Sequence, residues 1–509
     1  MDVTALVNPE RTSPENPKKA ETHASTSEAP LGNPRPPAAP HVVILGAGPA
    51  GVGAAYQLSR KGIARVTVLE HRDGVGGNAG SFEFEGVYCD FGSHRLHPAA
   101  KAEIMQDLRR LLGQDLTLQT RHGRILLQGR WIHFPLKPMD LLLRLPKTFA
   151  LNVLADIVRK VLPRDQSGPA TFASVLERGL GRTICREFYF PYARKLWAVS
   201  PQDLAVTTAQ RRVSGNSFGK MLRKVAAQIP GLKPPRAGRF YYPRRGYGQI
   251  SQCLFGAARE AGAEFKFGAR VTAIEREGRG VKAVRYQVGG EEFEVPTRII
   301  WSTIPITLLL QSMRPEPPAE VLEAASGISY RGMILIYLLL DQDRFSSFDA
   351  HYFPQESIPI SRLSEPKNYS GASEPRGRTV LCAELPSDPG RPEWEMSDQE
   401  LGRRLCDWLG QAGLPTPARV SRVLTRRLRQ AYPVYRRGYE DCFSRMDRWL
   451  GELEGVLTFG RQGLFAHDNT HHALAMAYAA AGCLSPEGRF DHSRWVAHRK
   501  EFETHVVED

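Results

Sequence analysis

The stretch Val42–Gly62, "VVILGAGPAGVGAAYQLSRKG", decides how the rest of this chain is read. Val42 to Leu45 form a short apolar run with the character of a buried strand. It breaks at Gly46, and Gly46, Gly48 and Gly51 follow the pattern G-x-G-x-x-G ahead of a helical stretch rich in small residues. Gly46 allows a tight turn, Gly48 lets backbone approach a pyrophosphate, and Gly51 lets helix pack close to strand. The start of the helix then offers unpaired N–H groups and a positive dipole end to phosphate. A second apolar run, "RVTVLE", ends at Glu70, where a carboxylate can take a ribose hydroxyl. Strand, glycine turn, helix, strand and acid in this order predict a dinucleotide-binding α/β unit.

The whole chain bounds what surrounds that unit. Its 509 residues are too many for one simple core, so two interleaved domains are expected. The hydrophobic and charged fractions, 42% and 24%, are those of an ordinary globular protein. A net charge of +14 favours anionic partners. Its Lys and Arg residues are scattered, without a zinc finger, helix-turn-helix or RRM signature, so nucleic acid is not an expected partner. Seven cysteines (89, 185, 253, 382, 406, 442, 483) contain no C-x-x-C pair. They suggest no disulfide framework, no metal site, and a reduced, cytoplasmic protein. Residues 1–40, rich in Pro, Ser, Thr, Glu and Ala, are expected to be a disordered tail.

Changes of pattern along the chain predict a dinucleotide-binding domain in three pieces, 41–98, 240–310 and 431–509. Two insertions would build a substrate domain: a helical one over 99–239, and sheet with long Pro- and Ser-rich loops over 311–430. No apolar run is long enough to span a bilayer. Residues 129–164 mix large apolar side chains with Lys and Arg. That composition suits a helix on an acidic membrane surface; the expectation preferred here is a helical lid with a solvated basic face.

Two further segments identify the dinucleotide. "HRDGVGGNAGSF" (His71–Phe82) supplies a second glycine loop, Gly76 and Gly77. A nicotinamide fold does not need this loop, whereas a site for extended FAD uses it against the pyrophosphate and ribityl chain. "FGRQGLFAHDNTHHALAMAYAAAG" (Phe459–Gly482) supplies Arg461 for charge, Asp468 or Asn469 for a ribityl hydroxyl, and a helix starting near Thr470. The positive end of that helix would face the flavin edge that becomes negative on reduction. FAD is therefore the expected cofactor. Its expected contacts are Gly46, Gly48, Gly51, Glu70, Arg72, Gly76, Gly77, Asn78, Val271, Gly460, Arg461 and Asp468.

With these motifs in place, residues 41–485 resemble the superfamily of flavin amine oxidases, protoporphyrinogen oxidases and UDP-galactopyranose mutases. The resemblance implies a Rossmann-like FAD domain of the glutathione-reductase type, interrupted by a mixed helical and sheet substrate domain. Several motifs are closest to the mutase branch. "GGNA" (Gly76–Ala79) resembles its second glycine loop. "DFGSHRLHP" resembles its glycine–histidine loop, which would place His94 by the flavin. "YARKLWAVSPQDL" (Tyr192–Leu204) resembles its tryptophan motif, giving Trp197. Arg211 and Tyr432 fall where that branch holds a substrate diphosphate. The departures are His467, where the mutases carry a tyrosine, Ala198 after the tryptophan, and extra sequence over 311–400.

The residue-level readings stay open beside this. His94 also reads as a loop histidine, Trp197 as a buried ring, Arg211 with Arg212 as a solvated pair, and Tyr432 with Tyr435 as strand-edge aromatics. The candidate catalytic set is His94, Trp197, Arg211, Tyr432 and His467. The expected activity is an FAD-dependent oxidoreductase that passes a hydride from a small organic substrate to flavin N5. The alternative is a redox-neutral sugar-nucleotide mutase that uses reduced FAD. Substrate, electron acceptor and oligomeric state are not written in the sequence.

Overall fold

The computed structural model describes residues 39–134, 140, 144–159, 170–212, 238–416 and 418–507. The tail expected over 1–40 lies outside these residues except for its last two.

The opening motif sits at the centre of a five-stranded parallel sheet. Its order is Val456–Thr458, Ile299–Ser302, His41–Leu45, Arg65–Leu69, Glu264–Lys266. Val42, Val43, Ile44 and Leu45 are fully buried. A central parallel strand is covered on both faces, which is why it reads as an unbroken apolar run. The fingerprint helix Pro49–Arg60 packs against two others, Gln249–Glu260 and Thr470–Gly482. The approach is close: a Cβ on Gly53 would lie 2.8 Å from Leu474 and 3.3 Å from Ala477. The alanines of Thr470–Gly482 are thus a packing requirement, and ten of that helix's thirteen residues are buried.

A four-stranded sheet follows, ordered Glu291–Pro296, Gly280–Val288, Arg270–Glu277, Met313–Arg314. The largest sheet has seven strands, ordered Val420–Val434, Ser329–Leu340, Thr379–Leu385, Arg362–Ser364, Ala350–Tyr352, Gly123–Leu127, Arg130–Phe134. Its strand Ser329–Leu340 is buried on both faces. Side chains alternate along a strand, so Met333, Leu335, Tyr337 and Leu339 join the core under the helices Phe172–Leu180 and Phe190–Trp197. Ile334, Ile336, Leu338 and Leu340 join Leu401, Leu405 and Leu409 of the helix Asp398–Gln411 on the other side.

Two expectations change here. The segment expected to be helical over 99–239 also supplies Leu116–Thr120, Gly123–Leu127 and Arg130–Phe134, the last two forming one edge of the large sheet. Within 311–430, the Pro- and Ser-rich stretch expected to be long loops itself supplies three strands of the same sheet, Ala350–Tyr352, Arg362–Ser364 and Thr379–Leu385. These strands are three to seven residues long, and Ala350–Tyr352 pairs with Gly123–Ile125 across more than 200 residues of chain. Local periodicity cannot register such pairing. Parts of the 129–164 segment fall outside the described residues; its helix Lys147–Arg159 is described. Among the described residues, no helix is long and apolar enough to cross a membrane. All seven cysteines are free.

Candidate functional site

The glycine loops meet at the C-terminal end of the parallel sheet. Gly46 has φ +94°, and a Cβ there would lie 2.8 Å from the Thr303 hydroxyl. On Gly51 a Cβ would sit 1.9 Å from the Gly46 carbonyl oxygen, so only glycine closes the turn. Gly48 differs: a Cβ there would meet only Gly77 Cα, at 4.0 Å. The protein itself does not require glycine at 48. The second loop crosses directly over the first, with the Gly76 N–H donating to the Ala47 carbonyl at 2.8 Å. Glu70 accepts from the Ala47 N–H at 2.7 Å and the Arg72 N–H at 2.9 Å. Burial works to raise the Glu70 pKa, but His71 and these two N–H groups outweigh it and hold the carboxylate below its usual range. The Ala269 N–H donates to the Glu70 carbonyl, which draws the strand carrying Val271 to the same turn.

Arg72 braces the second loop, donating to the Gly77 carbonyl at 2.8 Å and to Asn78 Oδ1 at 3.3 Å. Asn78 in turn donates to the Gln430 carbonyl at 3.0 Å, tying the loop to the large sheet. Arg461 donates to the carbonyls of Ala431 and Asp468, at 2.9 and 3.2 Å. Gly460, at φ +80°, presses its turn onto the fingerprint helix, since a Cβ there would lie 2.7 Å from that of Ala50. Segments from both ends of the chain thus form one cradle.

Beyond the cradle opens a cleft lined by Asn78, Phe91, His94, Arg362, Glu384, Leu428, Tyr432 and Arg461, among others. His94 stacks on Tyr247 with ring centroids 5.2 Å apart. Burial, and then the positive charges of Arg362 and Arg461, push its pKa down to about 3, so the imidazole is neutral. Its buried Nδ1 meets no hydrogen-bond partner among the described residues. Tyr432 lies under the Arg461 guanidinium at 5.1 Å and stacks near His467 at 6.3 Å. His467 also meets Tyr435 edge-on at 4.6 Å and Trp197 at 6.1 Å. The structure therefore brings Tyr432, His467 and Trp197 into one aromatic cluster, with Arg461 between that cluster and His94.

Arg211 faces inward to a different set of groups. Burial works against its charge, and Tyr435, Asp468, Tyr439 and Glu503 outweigh that, raising its pKa. Its backbone carbonyl accepts from the Val507 N–H at 2.8 Å. Asp468 is directed at His472 and His505, each Nδ1 being 3.5 Å from one carboxylate oxygen. These three could be taken for a metal site. However, His472 Nδ1 already accepts the Asn469 N–H at 3.3 Å, and the rings of His472 and His505 stack at 4.1 Å, 13° from parallel. One ion cannot lie in the planes of two stacked rings.

This arrangement can be set beside known proteins. The sequence profile of the family described as flavin containing amine oxidoreductase matches residues 49–472. The chain belongs to that family. It is 26% identical over 316 residues to a phytoene dehydrogenase of Streptomyces griseus, covering 57% of this chain and 59% of that protein. It is 25% identical over 325 residues to the L-amino acid oxidase bordonein-L of Crotalus durissus terrificus, covering 58% and 57%. The chain thus spans under two thirds of the length of the curated relatives it matches. Among solved structures, reduced UDP-galactopyranose mutase superposes with a TM-score of 0.74 at 22% identity, over 87% of this chain and 93% of that one. Cyclohexylamine oxidase from Brevibacterium oxydans gives 0.57 at 17%, over 86% and 99%. At these identities the structures share the fold.

FAD is the cofactor of this flavin amine oxidoreductase, and the residues present fit it. Gly48 leaves open a position that none of the described residues fills, and buried polar atoms of His94 and Trp197 lack partners among the described residues. Gly46, Gly48, Gly51, Glu70, Gly76 and Gly77 would hold its ADP half, with Val271 beside Glu70. Arg72 and Asn78 serve as struts of the second loop.

The sequence reading missed Arg362 and Glu384. Arg362 donates to both oxygens of Glu384, Nε at 3.0 Å and Nη2 at 2.9 Å, and the Ser93 N–H donates to the same carboxylate at 2.8 Å. This pair fixes the loop that carries His94. The available signal was a lone acid within the apolar run "VLCAELP", since a charge so placed needs a partner. Lys195, inside the tryptophan motif, donates to the carbonyls of Phe353, Ile358 and Ile360. Burial lowers its pKa to about 7. It pins a loop.

Proposed function

We propose that the chain is an FAD-dependent oxidoreductase that takes a hydride equivalent from a small organic substrate held between His94 and Tyr432. One observation supports this reading over a sugar-nucleotide rearrangement: Tyr435, Asp468, Tyr439 and Glu503 lie near enough to Arg211 to favour its charge from within the protein. Protein groups thus already compensate part of the charge it would offer a diphosphate. FAD, when bound, supplies a two-electron acceptor.

The chain's residues supply position and environment. Phe91, Met333, Leu335, Leu428 and Ala431 line the cleft and exclude water. His94, held neutral, adds no charge and can offer a hydrogen bond to substrate. Arg461 and the N-terminus of Thr470–Gly482 provide fixed positive potential where negative charge develops. The Arg362–Glu384 pair holds the His94 loop in place. The free cysteines support a cytoplasmic setting.

The second reading, a redox-neutral nucleotide-sugar mutase, is favoured by the meeting of Trp197, Tyr432 and His467 in one cluster. Anaerobic mixing of purified holoprotein with amines, L-amino acids, alcohols and porphyrinogens separates the two. Bleaching of the flavin absorbance by one substrate class supports the oxidoreductase. Ring interconversion of UDP-galactose by pre-reduced protein, with no net electron transfer, would replace it.

A further inference from the structure

The helix Lys147–Arg159 buries little of what it carries. Of its thirteen residues only Asp156 is buried. A helix of that length is marginal in water unless a face is packed. Its inner side is held by Phe149, Val153 and Ile157, all half-buried, and by Asp156, which accepts from the Thr183 N–H at 2.6 Å. Its outer side presents Leu151, Leu154 and Val158, exposed by 63%, 57% and 67%. Spaced three and four apart, they form one stripe. The other exposed large apolar side chains, such as Phe293 and Val496, lie singly on separate elements.

Among the described residues, the exposed charges on this helix and just before it have one sign. Lys147 and Arg159 on the helix and Arg144 just before it are exposed. The nearby acids, Asp140 and Asp156, are buried, the first against His133 and Arg144 and the second against Arg159. Within the described part of 129–164, the expected solvated basic residues thus border an apolar stripe. A two-fold contact with a second copy would set these cations against themselves. An anionic lipid surface satisfies both features, taking the apolar side chains into the headgroup boundary and the cations at the phosphates.

We propose that Lys147–Arg159 docks this protein peripherally onto anionic membranes through Leu151, Leu154 and Val158. The proposal stands independently of the oxidoreductase reading. The test is co-sedimentation of holoprotein with phosphatidylcholine vesicles, pure or containing about one third phosphatidylglycerol. Wild type is expected to sediment with the anionic vesicles and to stay in solution with the neutral ones. Leu151→Ser/Leu154→Ser/Val158→Ser should lower that partition by roughly ten- to hundredfold, with melting temperature and FAD content unchanged. Lys147→Glu/Arg159→Glu should weaken it too. The proposal is overturned if wild type ignores both vesicles, or if the triple variant sediments as wild type does. It is equally overturned if wild type is a dimer in solution that the triple variant splits while neither binds vesicles.

Discussion

Gly48 and Gly51 are three residues apart in one motif, yet the structure predicts opposite failures for their alanine variants. At Gly51 the new Cβ would stand 1.9 Å from the Gly46 carbonyl oxygen, against a normal contact of about 3.5 Å. Turn and helix must separate by more than an ångström, at a cost of about 1–3 kcal/mol from overpacking. Apo-protein melting should fall by several degrees, taking ~2–4 °C per kcal/mol. At Gly48 the Cβ meets only Gly77 Cα at 4.0 Å, and its φ of −68° suits any residue. A weaker helix cap, about 0.5–1 kcal/mol, is offset by a less flexible unfolded chain, about 0.4–1 kcal/mol. Apo stability should stay near wild type. The methyl would instead hold a pyrophosphate off the backbone, losing a charged hydrogen bond of ~1.5–3 kcal/mol, or roughly ten- to hundredfold in FAD affinity. Apo melting curves and FAD titration by fluorescence read the two effects separately. Wild-type FAD affinity in Gly48→Ala, or an unchanged melting curve in Gly51→Ala, would refute the reasoning.

Glu384→Ala leaves Arg362 buried without its carboxylate and should cost ~3–5 kcal/mol, whereas Arg362→Met/Glu384→Leu should recover most of the stability but not the activity; urea unfolding and turnover measure both. Acid should destabilise the fold through three histidines. Burial, the largest cause in each, lowers His94 and His351 to about 3 and His471 to about 2. Their folded values lie below the unfolded 6.5, so the stability they contribute is complete above pH 6.5 and is lost as pH falls toward 3. The loss approaches ~1.4 kcal/mol per pH unit per histidine. Asp90, raised by burial to about 6, opposes this between pH 6 and 3.8. A pH series of melting temperatures should fall below pH 6.5, and His351→Leu should flatten it.

How far the sequence could be read follows from the range of each interaction. The cradle was legible because backbone geometry within a few residues demands glycine at 46 and 51, and small residues where Thr470–Gly482 meets the fingerprint helix. The pairing of Arg362 with Glu384 was not, because neither belongs to a local motif and Ser93, which they brace, lies 291 residues from Glu384. The same applies to Tyr247 beneath His94. Arg211 was found from resemblance, but the groups that favour its charge, Tyr435, Asp468, Tyr439 and Glu503, come from the far end of the chain.

The most direct test of the central claim is titration of UDP into oxidised and reduced holoprotein, followed by flavin fluorescence, for wild type, Arg211→Ala and Arg211→Lys. If Tyr435, Asp468, Tyr439 and Glu503 already compensate the Arg211 charge, wild type should show no saturable response up to ~1 mM UDP, and the variants should match it. A wild-type Kd of ~10 µM or tighter, weakened roughly ten- to hundredfold in Arg211→Ala and partly restored in Arg211→Lys, would contradict the oxidoreductase account.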